Sequence, residues 1–275
     1  DRTLFELSQA TVETARHAAA GGPALIIWPE SPAPFYSSDE KLLHWLAAIA
    51  QETHAHMIVG STGATISAAG ERLPLNSALV INPQGNVLGS YDKIHLVPFG
   101  EYVPFRNLLF FAKKLTREVG EFARGSERRV FDLNGFKAGV FICYESAFPE
   151  EVREFAAAGA EVLVNISNDG WYGNTSAPFH HLEMGRMRAI ENGRWVLVAT
   201  NTGITASIDP YGRVVKRAER NQRSALLVPF GTRSETTFYT RNGDLFAWIC
   251  VVISMAAVFL RIRIPARTMV EVRPA

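Results

Sequence analysis

Three side chains of this 275-residue sequence, Cys143, Glu30 and Lys93, could together run thiol chemistry. Cys143 closes the apolar run Gly139-Val140-Phe141-Ile142, and the only other cysteine, Cys250, lies in a C-terminal apolar stretch. Glu30 follows the run Ala24-Leu25-Ile26-Ile27-Trp28, in a turn that Pro29 and Pro32 stiffen. Lys93 follows a hairpin-like stretch whose Pro83-Gln84-Gly85-Asn86 centre is a turn. Each has an ordinary alternative: a lone buried thiol is a small core hydrophobe, and an isolated Glu or Lys is a solvated charge. Together they answer a chemical need. A thiol is weakly ionised at neutral pH, so it needs a base to take its proton and a positive charge to favour the thiolate. Glu30 suits the first role and Lys93 the second. When the thiolate attacks a carbonyl, Lys93 and a backbone N–H after the nucleophile could stabilise the oxyanion. Loss of the first leaving group leaves a thioester on Cys143, and Glu30 can then deprotonate the second attacker. Water as that attacker makes a hydrolase and an amine makes an acyltransferase, which the three residues do not distinguish.

All three fall where a strand is expected to end. The apolar bursts at 24–28, 56–60, 77–81, 136–142, 161–166, 195–200 and 225–229 read as strands, and 4–20, 39–53, 148–158 and 178–193 read as helices. Strands alternating with helices predict α/β layers. No internal repeat or long low-complexity segment interrupts them. An apolar content of 47% with 20% charged residues suits a folded domain. The net charge of +1 leaves nucleic acid without an electrostatic footprint.

The contexts Trp28-Pro29-Glu30-Ser31, Tyr91-Asp92-Lys93-Ile94-His95 and Ile142-Cys143-Tyr144-Glu145 resemble, in that order, the Glu-Lys-Cys triad of the carbon-nitrogen hydrolase (nitrilase) superfamily. Asn165-Ile166-Ser167-Asn168-Asp169-Gly170-Trp171, followed by Arg188-Ala189-Ile190-Glu191-Asn192, is similar to its downstream signature, so the resemblance covers roughly residues 4 to 230. It implies an αββα sandwich of two sheets between helix layers. It also implies supporting roles for Glu101, as a second glutamate positioning Lys93, and for Tyr144 and Glu145 beside the nucleophile. Trp171 and Tyr172, between Gly170 and Gly173, resemble a loop over the site. Phe35 lines either the same mouth or the core. Phe105, in the aromatic run 104–112, belongs either to an acyl-chain lid facing the membrane or to an ordinary amphipathic helix.

Within the superfamily, Phe99-Gly100-Glu101-Tyr102-Val103-Pro104-Phe105-Arg106 and Ser167-Asn168-Asp169-Gly170-Trp171-Tyr172-Gly173 most resemble the apolipoprotein N-acyltransferase branch. That resemblance implies a phospholipid acyl donor, an apolipoprotein acceptor, no cofactor, and a place in the bacterial inner membrane. The runner-up is an amidase or carbamoylase cleaving small C–N bonds. A catalytically silent, membrane-anchored module that binds lipoprotein peptides is the alternative of a different class.

Residues 245–260 carry no charge, and Ile262 and Ile264 extend the apolar face past Arg261 and Arg263. The stretch is expected to be a C-terminal transmembrane helix, with a buried core helix as its alternative. Arg261, Arg263, Arg267 and Arg273 beyond it place the tail in the cytoplasm and the catalytic part on the periplasmic face. The expected organisation is a catalytic domain over 1–236, a membrane helix with flanks over 237–265 and a tail over 266–275. The sequence opens at Asp1 with no signal peptide and without the first strand expected of the superfamily, so it reads as the C-terminal part of a longer protein. His54, His56, His180 and His181 lack metal-ligand spacing, so no metal is expected. Neither a phosphate-cradling glycine loop nor a Gly-x-Ser-x-Gly elbow occurs.

Overall fold

The computed structural model describes residues 2–18, 24–31, 35–104, 121–222 and 224–263, with residues 262 and 263 described by their backbone only. Two sheets lie at its centre. The first is ordered β1 (Leu25–Trp28), β2 (His56–Ile66), β3 (Arg72–Ile81), β4 (Val87–Asp92), with β1 and β2 parallel and the remaining pairs antiparallel. The second runs β10 (Val214–Arg217), β9 (Ala206–Ile208), β8 (Trp195–Asn201), β7 (Val162–Asn168), β6 (Lys137–Ile142), β5 (Val130–Asp132). Its centre, β6-β7-β8, is parallel. The crossovers between those strands are the helices α3 (Pro149–Ala157) and α4 (Ala177–Asn192), as parallel pairing requires.

The period-2 alternation of strands sorts the first sheet's side chains between two cores. Met57, Val59, Leu79 and Ile81 pack with Leu4 of α1 (Arg2–Arg16) and with Leu42, Leu46 and Ile49 of α2 (Glu40–Thr53). Their neighbours Ile58, Ala78 and Val80 point the other way, into one cluster with Val140, Ile142, Val164 and Ile166 of the second sheet. Val152, Phe155, Leu182 and Ala189 of α3 and α4 join that cluster. The layers therefore run helix, sheet, sheet, helix, with the two sheets face to face. Burying each such large apolar side chain is worth about 1.5–3 kcal/mol.

Residues 225–229 form no strand, contrary to the reading of their apolar burst. Val228 and Phe230 do pack against the core, but Pro229 has no N–H for a ladder. The segment is tied to the sheet through side chains instead, by Ser207 Oγ to the Pro229 carbonyl at 2.8 Å and Lys216 Nζ to the Leu227 carbonyl at 2.9 Å. The short strands β5, β9 and β10 escape sequence reading because three or four residues carry too little pattern.

After the short helix α5 (Phe238–Asn242), α6 spans Leu245–Arg263. Residues 245 to 261 of α6 are all exposed, with Phe246, Trp248, Val252, Ile253 and Met255 more than 60% accessible. Among the described residues, no helix is long and apolar enough to cross a membrane.

Candidate active site

Cys143 sits where β6 breaks into a 3-10 turn, Cys143–Ala147, with φ +51°. That left-handed conformation costs a non-glycine residue on the order of 1 kcal/mol and makes the strand-to-helix turn sharp. The thiol is buried. Burial first, and the Glu30 charge second, push its pKa up to about 12, against the opposing pull of Lys93 and a hydrogen bond with Ser167. At neutral pH it therefore remains a thiol, and a base must take its proton as it attacks.

Glu30 leaves β1 through Pro29 and turns into the interface between the sheets, where it is 6% exposed. Its Oε1 accepts from Asn76 Nδ2 at 2.6 Å and lies 3.7 Å from Lys93 Nζ, while Oε2 accepts from the Asn168 N–H at 2.7 Å. Asn201 Nδ2 holds the Glu30 carbonyl at 2.9 Å. This close approach needs Gly60 on β2, because a Cβ there would overlap the Pro29 carbonyl oxygen. Burial raises the Glu30 pKa, and Lys93 and Asn76 offset part of the rise. A carboxylate made more basic in this way is better suited to receive a thiol proton.

Lys93, just past β4, is 1% exposed. Its Nζ donates to Glu101 Oε1 at 2.9 Å, and its backbone is clamped by Lys93 N–H to the Asn76 carbonyl and Gly125 N–H to the Lys93 carbonyl, both 2.8 Å. Burial alone would lower its pKa, but Glu30, the thiol site and Glu101 more than reverse this, so the ammonium persists. Glu101 is itself fixed by the Val97 N–H at 2.8 Å and Asn76 Nδ2 at 2.7 Å. Asn76 thus bridges both carboxylates, each within reach of one lysine.

Glu145 is a tie between strand ends. Its Oε1 accepts from Tyr91 Oη at 2.8 Å, the Ile94 N–H at 2.7 Å and the His95 N–H at 3.0 Å, and its Oε2 accepts from the Ile142 N–H at 2.7 Å. It therefore joins the chain after Lys93 to the residue before Cys143. Burial raises its pKa while these bonds pull it down. Glu145→Ala leaves two buried donors, Tyr91 Oη and the Ile142 N–H, and two part-buried ones unsatisfied, each buried one costing about 1–3 kcal/mol. Urea unfolding of this variant is expected to show a loss of about 3 kcal/mol or more. A loss under about 1 kcal/mol would remove Glu145 from this role.

Tyr144 stands beside the nucleophile, edge-on to Phe148 at 5.1 Å between ring centroids. Tyr172 is half-buried, edge-on to His181 at 5.3 Å, with its pKa pushed up to about 12 chiefly by burial. Trp171 projects outward, 80% exposed. Phe35 packs against the cluster of α1, α2 and β1, and Phe105 lies outside the described residues. Sequence reading singles out Glu30, Lys93, Cys143 and Glu101, and the fold assembles them. It does not single out Asn76, Ser167, Asp169 or His181. The available signal is a polar residue inside an otherwise buried strand, as with Asn76 and Ser167.

A carbon-nitrogen hydrolase family profile matches residues 3–230. The chain is 43% identical over 239 residues to an apolipoprotein N-acyltransferase from Geobacter metallireducens, covering 86% of this chain and 46% of the relative. It is 37% identical over 249 residues to one from Rhodopseudomonas palustris, covering 88% and 46%. The chain thus spans about half the length of the curated relatives it matches. Among solved structures it is similar to Saccharomyces cerevisiae Nit3, of the nitrilase superfamily, with a TM-score of 0.64, 18% identity and 81% of each chain covered. It is also similar to a variant of the Nesterenkonia AN1 amidase of the same superfamily, with a TM-score of 0.59, 20% identity and 80% and 81% coverage. These two likenesses bear on the fold.

Proposed function

Since the chain belongs to the carbon-nitrogen hydrolase family, we propose that it is the catalytic part of an acyltransferase that loads a phospholipid acyl group onto Cys143 and passes it to an apolipoprotein. The observation that carries this reading is the 37–43% identity to curated apolipoprotein N-acyltransferases over most of the chain. The triad alone suits amidases equally well.

In the first half-reaction Glu30 takes the thiol proton as Sγ attacks the ester carbonyl. The oxyanion is met by Lys93 and a backbone N–H after the nucleophile. Collapse expels the lysophospholipid alkoxide, which receives the proton from Glu30. In the second, the neutral α-amino group of a diacylglyceryl-modified N-terminal cysteine attacks the thioester and Glu30 takes its proton. Collapse breaks the C–S bond, forms the amide, and returns the proton to sulfur. Glu30 thus serves both steps from one position, with Asn76 and the Asn168 N–H holding it there. Trp171, Tyr172 and Phe105 are the candidates for the substrate mouth, whereas Phe35 packs against the core of α1, α2 and β1.

Access to phospholipid requires a membrane. At about 28 Å, α6 falls short of the roughly 30 Å of a bilayer's hydrocarbon core, and a long side chain such as that of Arg261 at its end can reach the headgroups to make up the difference. The exposed apolar surface of α6 would otherwise face water at high cost. We place α6 in the inner membrane and the catalytic domain on its periplasmic side, with Arg261 and Arg263 in its last turn and Arg267 and Arg273 beyond it in the sequence marking the cytoplasmic end.

The test is intact-mass analysis of the protein in detergent, expressed with whatever its gene encodes ahead of Asp1, after incubation with phosphatidylethanolamine. The expected result is a gain of one acyl chain that hydroxylamine removes and that a diacylglyceryl-cysteine peptide discharges as the amide. An unmodified protein that releases ammonia from small amides would instead establish the amidase, and the absence of both activities would leave a binding module.

A further inference from the structure

One group of side chains at the thiol has no part in the two half-reactions above. Asp169 and His181 stand beside Cys143, such that one ligand atom from each of the three residues lies within 4.8 Å of the others. Asp169 is 2% exposed; its Oδ1 accepts from Ser167 Oγ and pairs with His181 Nδ1, both at 2.8 Å. Its Oδ2 is buried without a hydrogen-bond partner among the described residues. A buried carboxylate oxygen left bare in this way calls for an unseen partner, a water or an ion.

We propose that Cys143, Asp169 and His181 form a binding site for a borderline-soft divalent cation, zinc foremost, and that its occupancy closes the thiol to acylation. Thiolate sulfur, imidazole nitrogen and carboxylate oxygen are the three donors zinc accepts, at about 2.0–2.3 Å. Around one ion, tetrahedral ligand atoms stand roughly 3.3–3.8 Å apart, so side-chain adjustments of about 1 Å complete the site. The surroundings favour a cation, because Glu30 and Glu101 add two carboxylates against the single ammonium of Lys93. Ser167 Oγ donates to Asp169 Oδ1, as ligating carboxylates are commonly braced. On binding, the S–H bond breaks, its proton goes to solvent and a sulfur–zinc bond forms, with no change of oxidation state. The fourth position stays open for water. Sequence spacing hides the site, since Cys143 comes from the end of β6, Asp169 from the end of β7 and His181 from α4.

The experiment adds zinc alone to metal-free protein in detergent, in competition with a chromophoric chelator. Stoichiometric binding is expected, weakened by at least about tenfold in Cys143→Ala and in His181→Gln. His180→Gln, at the exposed neighbouring position, should bind as the parent does. Cobalt added to the unaltered protein should give the intense near-ultraviolet band of a thiolate bound to the metal, which needs no variant to fold. Absence of saturable zinc binding, equal binding by Cys143→Ala, or a cobalt spectrum without the thiolate band would each overturn the proposal. All of these readouts are independent of acyl transfer, so failure of the acyltransferase reading leaves them interpretable.

Discussion

Cys143→Ala is expected to abolish both the acyl adduct and turnover, with a rate loss on the order of 10⁴-fold or more, the scale seen when a covalent nucleophile is removed. The reasoning rests on how the thiol is held. Its pKa, pushed up to about 12 chiefly by burial, means that the site stores no ready thiolate. In the proposed mechanism, reactivity comes from coupling the proton's departure to Glu30 while Lys93 stabilises the charge as it forms. An alanine removes the atom on which every later step depends. Cys143→Ser is expected to fare little better, because a hydroxyl is far less acidic than a thiol and Glu30 would have to abstract a much more tightly held proton. Fold is expected to survive both changes: each new side chain is no larger than a cysteine, and the left-handed backbone at this position was already accommodated for a residue with a Cβ. Single-turnover transfer from a labelled phospholipid, measured beside a thermal melt, checks both halves. A folded Cys143→Ala protein that still accumulates a hydroxylamine-labile acyl group would remove Cys143 as nucleophile.

Strand ends are what the sequence announces most clearly. A strand that stops at a side chain able to do chemistry marks both the element and what it delivers, which is why Glu30, Lys93 and Cys143 are legible together. The helices α1 to α4 are legible for a similar reason, their apolar spacing extending over about two and a half to four and a half turns. Less legible is whatever depends on segments far apart in sequence meeting, within the first sheet or between the two. Asn76 reaches a residue 46 positions earlier, and the Asn168 N–H reaches Glu30 across 138 positions. No local pattern carries such distances, so the residues that hold the base in place remain silent until the sheets are stacked. Glu145 shows the same limit in another form. Its position beside the nucleophile is evident in sequence, but its task of binding two strand ends through four hydrogen bonds is a property of the packed interface. Apolarity likewise reports burial without saying in what: residues 225–229 lie against the core without pairing, whereas the apolar side chains of α6 face outward.

Lys93→Met is expected to damage stability and catalysis together, and the two losses should respond differently to pH. The methionine matches the length of the lysine stem but takes the ammonium away from Glu30 and Glu101, leaving two carboxylates in a buried site without their cation. Breaking a buried pair from one side costs about 3–5 kcal/mol. The cost can be relieved by protonating a carboxylate. Burial already raises the Glu30 pKa above the ordinary carboxylate value, and loss of Lys93 raises it further. A carboxyl whose folded pKa lies above its unfolded one stabilises the fold fully below the unfolded value, and that contribution fades as pH rises through the folded value. The deficit of Lys93→Met relative to the parent should therefore be largest at neutral and higher pH and shrink towards about pH 4. Catalysis should show no such recovery. Loss of an oxyanion donor alone costs about 10²–10³ in rate, and protonating Glu30 removes the base as well. Unfolding in urea at acidic and neutral pH, alongside single-turnover acylation at the same two values, distinguishes these effects. Equal stability deficits at both pH values would show that Lys93 does not hold Glu30 ionised, and acylation at the parent's rate would remove it from the transition state.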